Sequence, residues 1–302
     1  MNTIPDGHGR MMMRVAIAAV GVAALLVVMK TVAYIVTDSI AMMASLADSA
    51  LDVVTSSVNL LAIRHALQPA DREHRFGHGK AEPLAGLGQG AFIFGSAAFL
   101  VIESVSRLIA PHPIEHPLVG LAVMAVSIAT TVVLIIAQRI VVARTGSVAV
   151  AADRMHYVGD IVTNGGVILG IVASYQFHIL IADPIIGIAV AAILTWSAWH
   201  VFRQSYDQLM DHELPDGDRE TIKAIVRGHA EVKDIHDLRT RAAGVNQFIQ
   251  FHIELDPGIR LVRAHEISDE VELEVCRAFP QAEVIIHQDP AGVEELPALA
   301  AT

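Results

Sequence analysis

Long apolar runs occupy the first two thirds of the chain. Six stretches each reach the roughly 20 residues that an α-helix needs to cross a bilayer. We predict membrane-spanning helices at residues 14–36, 40–64, 83–109, 117–142, 148–175 and 179–203. The first stretch is longer than the apolar core of a signal peptide and lacks a clear cleavage pattern, so we interpret it as a helix. The pattern predicts a polytopic α-helical membrane domain with six transmembrane helices over residues 1–206.

The pattern changes to shorter amphipathic and alternating segments after Leu214-Pro215. We predict helices at 220–229 and 262–279, and strands at 232–240, 247–255 and 283–288. The order α-β-β-α-β indicates a small α+β domain with its helices on one face of a sheet. We assign this domain to residues 207–290 and interpret 291–302 as a flexible tail.

Composition and charge support this division into an apolar part and a C-terminal domain. Hydrophobic residues make up 53% of the chain and charged residues 18%, against about 25% charged in a typical soluble domain. From Asp207 onward there are 20 acids and 9 lysines and arginines, so the whole formal charge of −11 lies in the C-terminal third. Such an acidic domain attracts cations and repels nucleic acid, which we exclude as a partner. The single cysteine, Cys276, excludes an internal disulfide and a thiolate metal cage.

The basic residues between the apolar stretches indicate the orientation in the bilayer. They lie before the first helix, after the second and fourth, and at the end of the sixth: Arg10, Arg14, Arg64, Arg72, Arg75, Lys80, Arg139, Arg144 and Arg203. The opposite loops are nearly free of lysine and arginine, apart from Arg107. Because basic residues favour the cytoplasmic side, we expect both termini in the cytoplasm.

Two pairs of polar side chains interrupt the predicted membrane helices. Asp48 and Asp52 lie in the second helix, and His156 and Asp160 lie in the fifth. Members of each pair are four residues apart, so they share one helix face. Charged groups inside a bilayer cost about 2.5–3.5 kcal/mol each on insertion scales, so they usually mark a pathway or a site. The alternatives are a proton relay and a structural polar network between helices.

The two pairs should also lie at the same depth. Twelve residues separate Asp52 from Arg64, and twelve separate His156 from Arg144. At about 1.5 Å per residue, both pairs lie roughly 18–24 Å from the basic rim. One imidazole nitrogen and three carboxylate oxygens form a plausible tetrahedral shell for Zn²⁺. The histidine argues mildly against Mg²⁺ and Mn²⁺, which suit all-oxygen octahedral sites better.

Several segments together resemble the cation diffusion facilitators, and in particular the bacterial zinc and ferrous-iron efflux pumps of that family. The segments are ASLADSALD in the second helix, QPADREHRFGHGKAEPLA in the following loop, ADRMHYVGD in the fifth helix, and HDLRTR, FIQFHIELD, AHEISDEVE and EVIIHQDP in the C-terminal domain. The resemblance covers almost the whole chain. It implies six membrane helices, a ferredoxin-like (metallochaperone-like) cytoplasmic domain, a homodimer and metal/proton antiport.

The resemblance also implies three sets of metal ligands. The transport site falls on Asp48, Asp52, His156 and Asp160. A second site, in the loop after the second helix, falls on Asp71, His74 and His78. A binuclear cytoplasmic site falls on His236, His252, His265, His287 and Asp289. For the last site, the alternative is a set of ordinary surface histidines.

Three further residues take implied roles. Lys80 matches a lysine that pairs with an acid at the junction of membrane and domain, here Asp211. Met155 stands where close relatives carry a leucine that gates the site, and its flexible thioether can still fill such a gate. We expect Asp153 and Arg154, near the start of the fifth helix, to be interfacial.

The function that we expect is Zn²⁺/H⁺ antiport from cytoplasm to periplasm by alternating access, with the chain in a bacterial inner membrane. Zn²⁺ would be the transported substrate and also a structural or regulatory ion, with Cd²⁺ or Fe²⁺ as alternatives. His156 is the natural coupling group because its unperturbed pKa is nearest neutrality. The alternatives are an Fe²⁺, Cd²⁺ or Mn²⁺ exporter, an intramembrane metal-dependent hydrolase and a metal sensor. We find no nucleophile or HExxH-type motif, so we expect no enzyme activity.

Overall fold

A computed structural model describes residues 6–37, 40–109, 117–177 and 182–292. The elements of the first part are helices α1 (Asp6–Thr37), α2 (Ile40–Ala66), α3 (Ala81–Ile109), α4 (Pro117–Thr145), α5 (Val148–Phe177) and α6 (Ala182–Leu209). The elements of the second part are α7 (Asp216–Gly228), β1 (Asp234–Ala243), β2 (Asn246–Leu255), α8 (Leu261–Ala278) and β3 (Ala282–Pro290). These parts are two compact units that divide between Leu209 and Met210. Most of the predicted tail at 291–302 lies outside the described residues.

The long helices of the first unit form a transmembrane helical domain. Within the described ranges, four segments are long and apolar enough to cross a membrane: Gly7–Val36, Ala81–Ser106, Ala122–Thr145 and Ile185–Leu209. Helices α2 and α5 have 27 and 30 residues and carry ionisable residues within their length. Large apolar side chains such as Phe99 and Ile102 on α3 are 68% exposed, as expected of surfaces that face lipid.

Two helices extend beyond their apolar segments. Helix α1 begins at Asp6 instead of residue 14, and α6 continues to Leu209 instead of ending at 203. In α6 the added turn includes Asp207, whose carboxylate lies 3.9 Å from the Arg203 guanidinium one turn earlier. Backbone hydrogen bonds can continue where apolar side chains stop, so hydropathy alone predicts these helices too short.

Helices α3 and α6 pack against each other through small residues. A Cβ on Gly86 of α3 would collide with Ser205 of α6, and a Cβ on Gly187 of α6 would collide with Ser104 of α3. Because lipid tails are as apolar as the helices, close backbone approach and van der Waals contact hold such pairs together. These contacts fix α6 against α3 along much of their length.

The second unit is a three-stranded sheet, in order β1-β2-β3, covered by α7 and α8. Strand β2 pairs antiparallel with β1 and parallel with β3. Alternate residues of β2 lie in the core, where Ile249, Phe251 and Ile253 are at most 1% exposed. They pack against the buried faces of both helices, including Ile222 of α7 and Ile267 of α8. The predicted α+β order is therefore confirmed, and the other face of the sheet carries polar side chains.

The Gly86 contact gives the first prediction. Gly86→Leu should lower the melting temperature of the detergent-solubilised protein, because inserting a large side chain into a packed contact costs about 1–3 kcal/mol. Gly95→Leu is the matched control on the same helix, because a Cβ there meets nothing within 4 Å. Both changes raise helix propensity alike. Equal melting temperatures for the two variants, measured by thermal unfolding, would contradict the close α3–α6 packing.

Candidate metal centres

Helices α2 and α5 bring three ionisable side chains together inside the membrane domain. Each of Asp52, His156 and Asp160 offers a ligand atom, and these atoms all lie within 4.8 Å of one another. His156 Nε2 lies 3.0 Å from Asp52 Oδ1 and 3.8 Å from Asp160 Oδ2. Asp52 is 5% exposed and His156 is 9% exposed. The group offers one nitrogen and two carboxylates, a donor set that suits zinc.

Asp48, the fourth predicted member, lies outside this group of three. It stands one helical turn before Asp52 and its side chain is exposed. The charges that act on it include those of Asp52, Lys30 and His156, so it belongs to the same electrostatic neighbourhood. A fourth ligand from Asp48 would require its side chain to turn toward the group.

Lys30 of α1 is a neighbour of this site that the sequence interpretation missed. It is 5% exposed, and its Nζ donates a hydrogen bond to Ser49 Oγ at 2.7 Å. Its charge acts on both Asp48 and Asp160. A lysine inside an apolar run was the signal that could have found it, since ionisable groups at that depth are costly and usually functional.

Asp153 is buried between helices, which the sequence interpretation did not predict. It is 1% exposed and lies one turn before His156 on α5. Its Oδ2 accepts a hydrogen bond from Gln138 Nε2 at 2.7 Å, and its Oδ1 accepts one from Gln89 Nε2 at 3.1 Å. Ser56 Oγ donates to the same Oδ1 at 3.4 Å. The carboxylate therefore joins α2, α3, α4 and α5, which hydropathy cannot indicate.

Tyr157 extends this network to α1. Its hydroxyl lies 2.8 Å from Ser56 Oγ and donates to the carbonyl oxygen of Ala19 at 3.2 Å. The side chain is completely buried. Hydrogen bonds between buried polar groups are stronger than in water because the local dielectric constant is low. The network thus fixes the rotation of α5, and with it the direction of His156.

The start of α5 is held by a second buried acid, Glu82 of α3. Ser147 Oγ donates to Glu82 Oε2 at 2.5 Å, and the Ala149 N–H donates to the same oxygen at 3.4 Å. A carboxylate at a helix N-terminus satisfies free N–H groups and complements the helix dipole. Gly146, with φ +67°, makes the turn that leads from α4 into this start. These contacts set where α5 begins and therefore the depth of its ligands.

The loop between α2 and α3 brings Asp71, His74 and His78 together, with ligand atoms within 4.8 Å of one another. Asp71 Oδ1 lies 3.4 Å from His74 Nδ1, and Asp71 Oδ2 lies 3.4 Å from His78 Nε2. The backbone N–H groups of His74 and Glu73 donate to Asp71 at 2.6 and 2.9 Å. The His74 bond is the main cause that lowers the pKa of Asp71 below its ordinary value, so this carboxylate stays ionised near neutral pH.

A row of histidines crosses the polar face of the C-terminal sheet. His236 of β1 pairs in register with His252 of β2, which pairs in register with His287 of β3. The ring centroids of His236 and His252 are 5.1 Å apart, and those of His252 and His287 are 4.5 Å apart. Side chains of one register row point to the same face of a sheet.

Asp289 lies beside this row and contacts all three imidazoles. Its Oδ2 is 2.8 Å from His252 Nδ1 and 3.6 Å from His236 Nε2. Its Oδ1 is 3.2 Å from His287 Nε2. One carboxylate oxygen thus faces two histidines and the other oxygen faces the third, as a bridge between two ions requires. His265 lies apart on α8, is 71% exposed and faces Asp269 Oδ2 at 3.6 Å.

The remaining predicted residues lie elsewhere. Lys80 Nζ donates to the carbonyl oxygen of Leu209 at 3.4 Å, and Asp211 lies 3.3 Å from the Arg241 guanidinium. The predicted Lys80–Asp211 pair joins residues of different units and stays a prediction. Met155 packs against the apolar cluster between α3, α5 and α6. Its role as a gate also stays a prediction.

Two family models match the chain. One is described as the cation efflux transmembrane domain and matches residues 16–210. The other is described as the cation efflux protein cytoplasmic domain and matches residues 214–291. Together they cover both units of the structure.

Curated relatives agree with these matches, and solved structures of isolated domains are similar to part of the chain. The cation-efflux pump FieF of Cronobacter sakazakii is 42% identical over 287 residues, 95% of each chain. FieF of Escherichia fergusonii is 43% identical over 289 residues, 95% of this chain and 96% of the relative.

The zinc form of CzrB is 33% identical and covers 28% of this chain and 99% of its own, with a TM-score of 0.26. The metal-bound C-terminal domain of the CzcD transporter from Thermotoga maritima is 29% identical and covers 26% of this chain and 93% of its own, with a TM-score of 0.26. The chain therefore belongs to the cation diffusion facilitator family of cation-efflux proteins.

Proposed function

We propose that the chain is a proton-coupled exporter of Zn²⁺ from the cytoplasm. The observation that carries this proposal is the convergence of Asp52, His156 and Asp160 within 4.8 Å between two helices of the membrane domain. Relatives at 42–43% identity over most of the chain are named cation-efflux pumps. A bacterial inner membrane, with both termini in the cytoplasm, is the location that fits this function.

The donor set supports zinc as the exported ion. An imidazole with carboxylates matches tetrahedral Zn²⁺, and the affinity order of such sites places Zn²⁺ above Fe²⁺ and Mn²⁺. Fe²⁺, Cd²⁺ and Mn²⁺ are the competing substrates, and competition for uptake into proteoliposomes separates them. Asp48, on the same helix face as Asp52, is the fourth ligand in this proposal.

Charge balance supports coupling to protons. A metal ion binds only deprotonated ligands, so its arrival releases protons and incoming protons release the metal. Facing the cytoplasm, the deprotonated site captures Zn²⁺. Facing the other side, protons compete for His156 and the carboxylates and free the ion. Alternating access between these two states then exchanges metal for protons across the membrane.

The two other clusters are proposed as regulatory metal sites. The loop centre consists of Asp71, His74 and His78. The cytoplasmic centre consists of His236, His252, His265, His287 and Asp289. The match to the cation efflux cytoplasmic domain supports a homodimer, and in this proposal zinc joins its C-terminal units. In such a dimer, His265 of one copy can complete the centre of the other.

The transport site is tested by His156→Ala in sealed proteoliposomes. We expect zinc-driven proton flux to fall at least about a hundredfold, because the site loses its nitrogen ligand and its coupling group. His200→Ala removes an exposed imidazole from α6 and should leave the flux unchanged. Fully coupled flux in His156→Ala would contradict the assignment. Lipid or peptide cleavage without metal movement would instead indicate a metal-dependent hydrolase.

The contribution of Lys30 is tested by Lys30→Met. The positive charge of Lys30 repels a metal ion bound by the carboxylates near His156. Without this charge, zinc should bind on the order of tenfold more tightly. Zinc should then raise the melting temperature of Lys30→Met more than that of the wild type, relative to a chelator. Lys30→Arg keeps the charge and should behave as the wild type. Equal zinc effects in Lys30→Met and Lys30→Arg would exclude Lys30 as a counter-charge.

The cytoplasmic centre is tested by combining His252→Ala with His287→Ala. We expect the zinc concentration for half-maximal transport to change several-fold while zinc still crosses the membrane, since the transport ligands are intact. His229→Ala, which removes an imidazole paired with Glu270 at 2.9 Å, is the control. Complete loss of transport in a protein that still elutes as a folded species would show that this centre does more than regulate.

A further inference from the structure

His78 lies between two other imidazoles at the cytoplasmic end of α2. Its ring centroid is 4.5 Å from that of His74 and 4.7 Å from that of His65. His65 lies in the last turn of α2, and neither the loop pattern nor the family resemblance assigns it a role. The loop cluster is therefore flanked by one more potential metal ligand than the sequence indicated.

These spacings fit imidazoles that share one ion. With Zn–N distances of about 2.0–2.1 Å and tetrahedral angles, the ring centroids of two histidines on one zinc lie about 5 Å apart. Asp71, His74 and His78 supply three protein ligands and leave the fourth tetrahedral position open. A structural zinc site closes that position with a protein side chain. The imidazole of His65, whose ring centroid lies 4.7 Å from that of His78, is the candidate for that position.

His78 is the buried member of the loop cluster. The residue is 8% exposed, and among the described residues its Nδ1 has no hydrogen-bond partner. His78 Nε2 faces Asp71 at 3.4 Å and is the nitrogen placed to bind an ion in this cluster, so the unpartnered Nδ1 indicates a separate polar partner such as water. His65 is exposed and lies outside the three-residue group, so its imidazole has to turn toward His78. Turning an exposed side chain in this way costs only the conformational entropy of fixing its rotamer.

We propose that His65 is the fourth ligand of the loop centre, which then holds Zn²⁺ in a closed shell of three imidazoles and Asp71. The proposal rests on the loop centre of the proposed function and deepens it. Such a shell prefers Zn²⁺ over Mn²⁺, which favours oxygen donors, and the general affinity order also places Zn²⁺ above Fe²⁺. It also ties the loop to the end of α2, the helix that carries Asp52. Zinc in the loop centre thereby acts on the cytoplasmic end of a transport helix.

The experiment uses the full chain with Asp52→Ala and His252→Ala, so that the loop centre dominates tight zinc binding. Zinc affinity is measured against a competing chelator, and X-ray absorption at the zinc edge counts the imidazoles around the ion. Adding His65→Gln should weaken binding at least about tenfold, since even losing an outer-shell partner costs 10–100-fold. The number of imidazoles should fall from three to two. His200→Gln, another exposed histidine of the membrane unit, should change neither quantity.

Two results would overturn the inference, and they differ in meaning. If His65→Gln keeps full affinity while His78→Ala loses it, the loop centre exists without His65. If His78→Ala also keeps full affinity, the loop centre itself is absent and that part of the proposed function fails. The number of imidazoles around zinc before His65 or His78 is changed does not depend on how the His65 and His78 variants fold. A count of two there would exclude His65 directly.

Discussion

The membrane domain depends on holding Asp52, Asp160 and His156 together in a space that has little water. A charged group buried in a low-dielectric medium costs several kcal/mol unless another charge or a proton compensates it. The buried carboxylate of Asp52 and the partly buried one of Asp160 therefore require a cation beside them, and either a divalent metal ion or protons can provide it. The same electrostatic cost is the physical basis of the proposed exchange between metal and protons.

Neighbouring helices supply a positive charge and a set of hydrogen bonds around the site. Lys30 brings a positive charge from α1, and its hydrogen bond to Ser49 places it next to the acidic face of α2. One turn before His156, Asp153 gathers hydrogen bonds from three other helices. These contacts fix the ligand-bearing faces of α2 and α5 toward each other. A polar network of this kind limits how far one helix can rotate without its neighbours, so any rotation of α5 must involve several helices together.

Regular geometry made part of this site predictable from the sequence. Spacing of four residues and equal distance from a basic rim were enough to place Asp52 opposite His156, because both follow from the rise and period of an α-helix. The position of Asp153 was not predictable, since burial depends on which faces of four helices meet. Likewise, the histidine row of the C-terminal sheet depends on strand register, and the sequence could place His287 and Asp289 on one face but not align His236 with His252. Lys30 was visible as a lysine in an apolar run, but its hydrogen bond to Ser49 depends on how α1 packs on α2.

Anomalous scattering at the zinc edge, from crystals of the zinc-loaded protein, measures the position of the ion directly. We expect a peak between Asp52, His156 and Asp160, at ligand distances of about 2.0–2.2 Å, that is lost in His156→Ala. Peaks at the loop and cytoplasmic clusters alone, with none between α2 and α5, would contradict a transport site in the membrane domain.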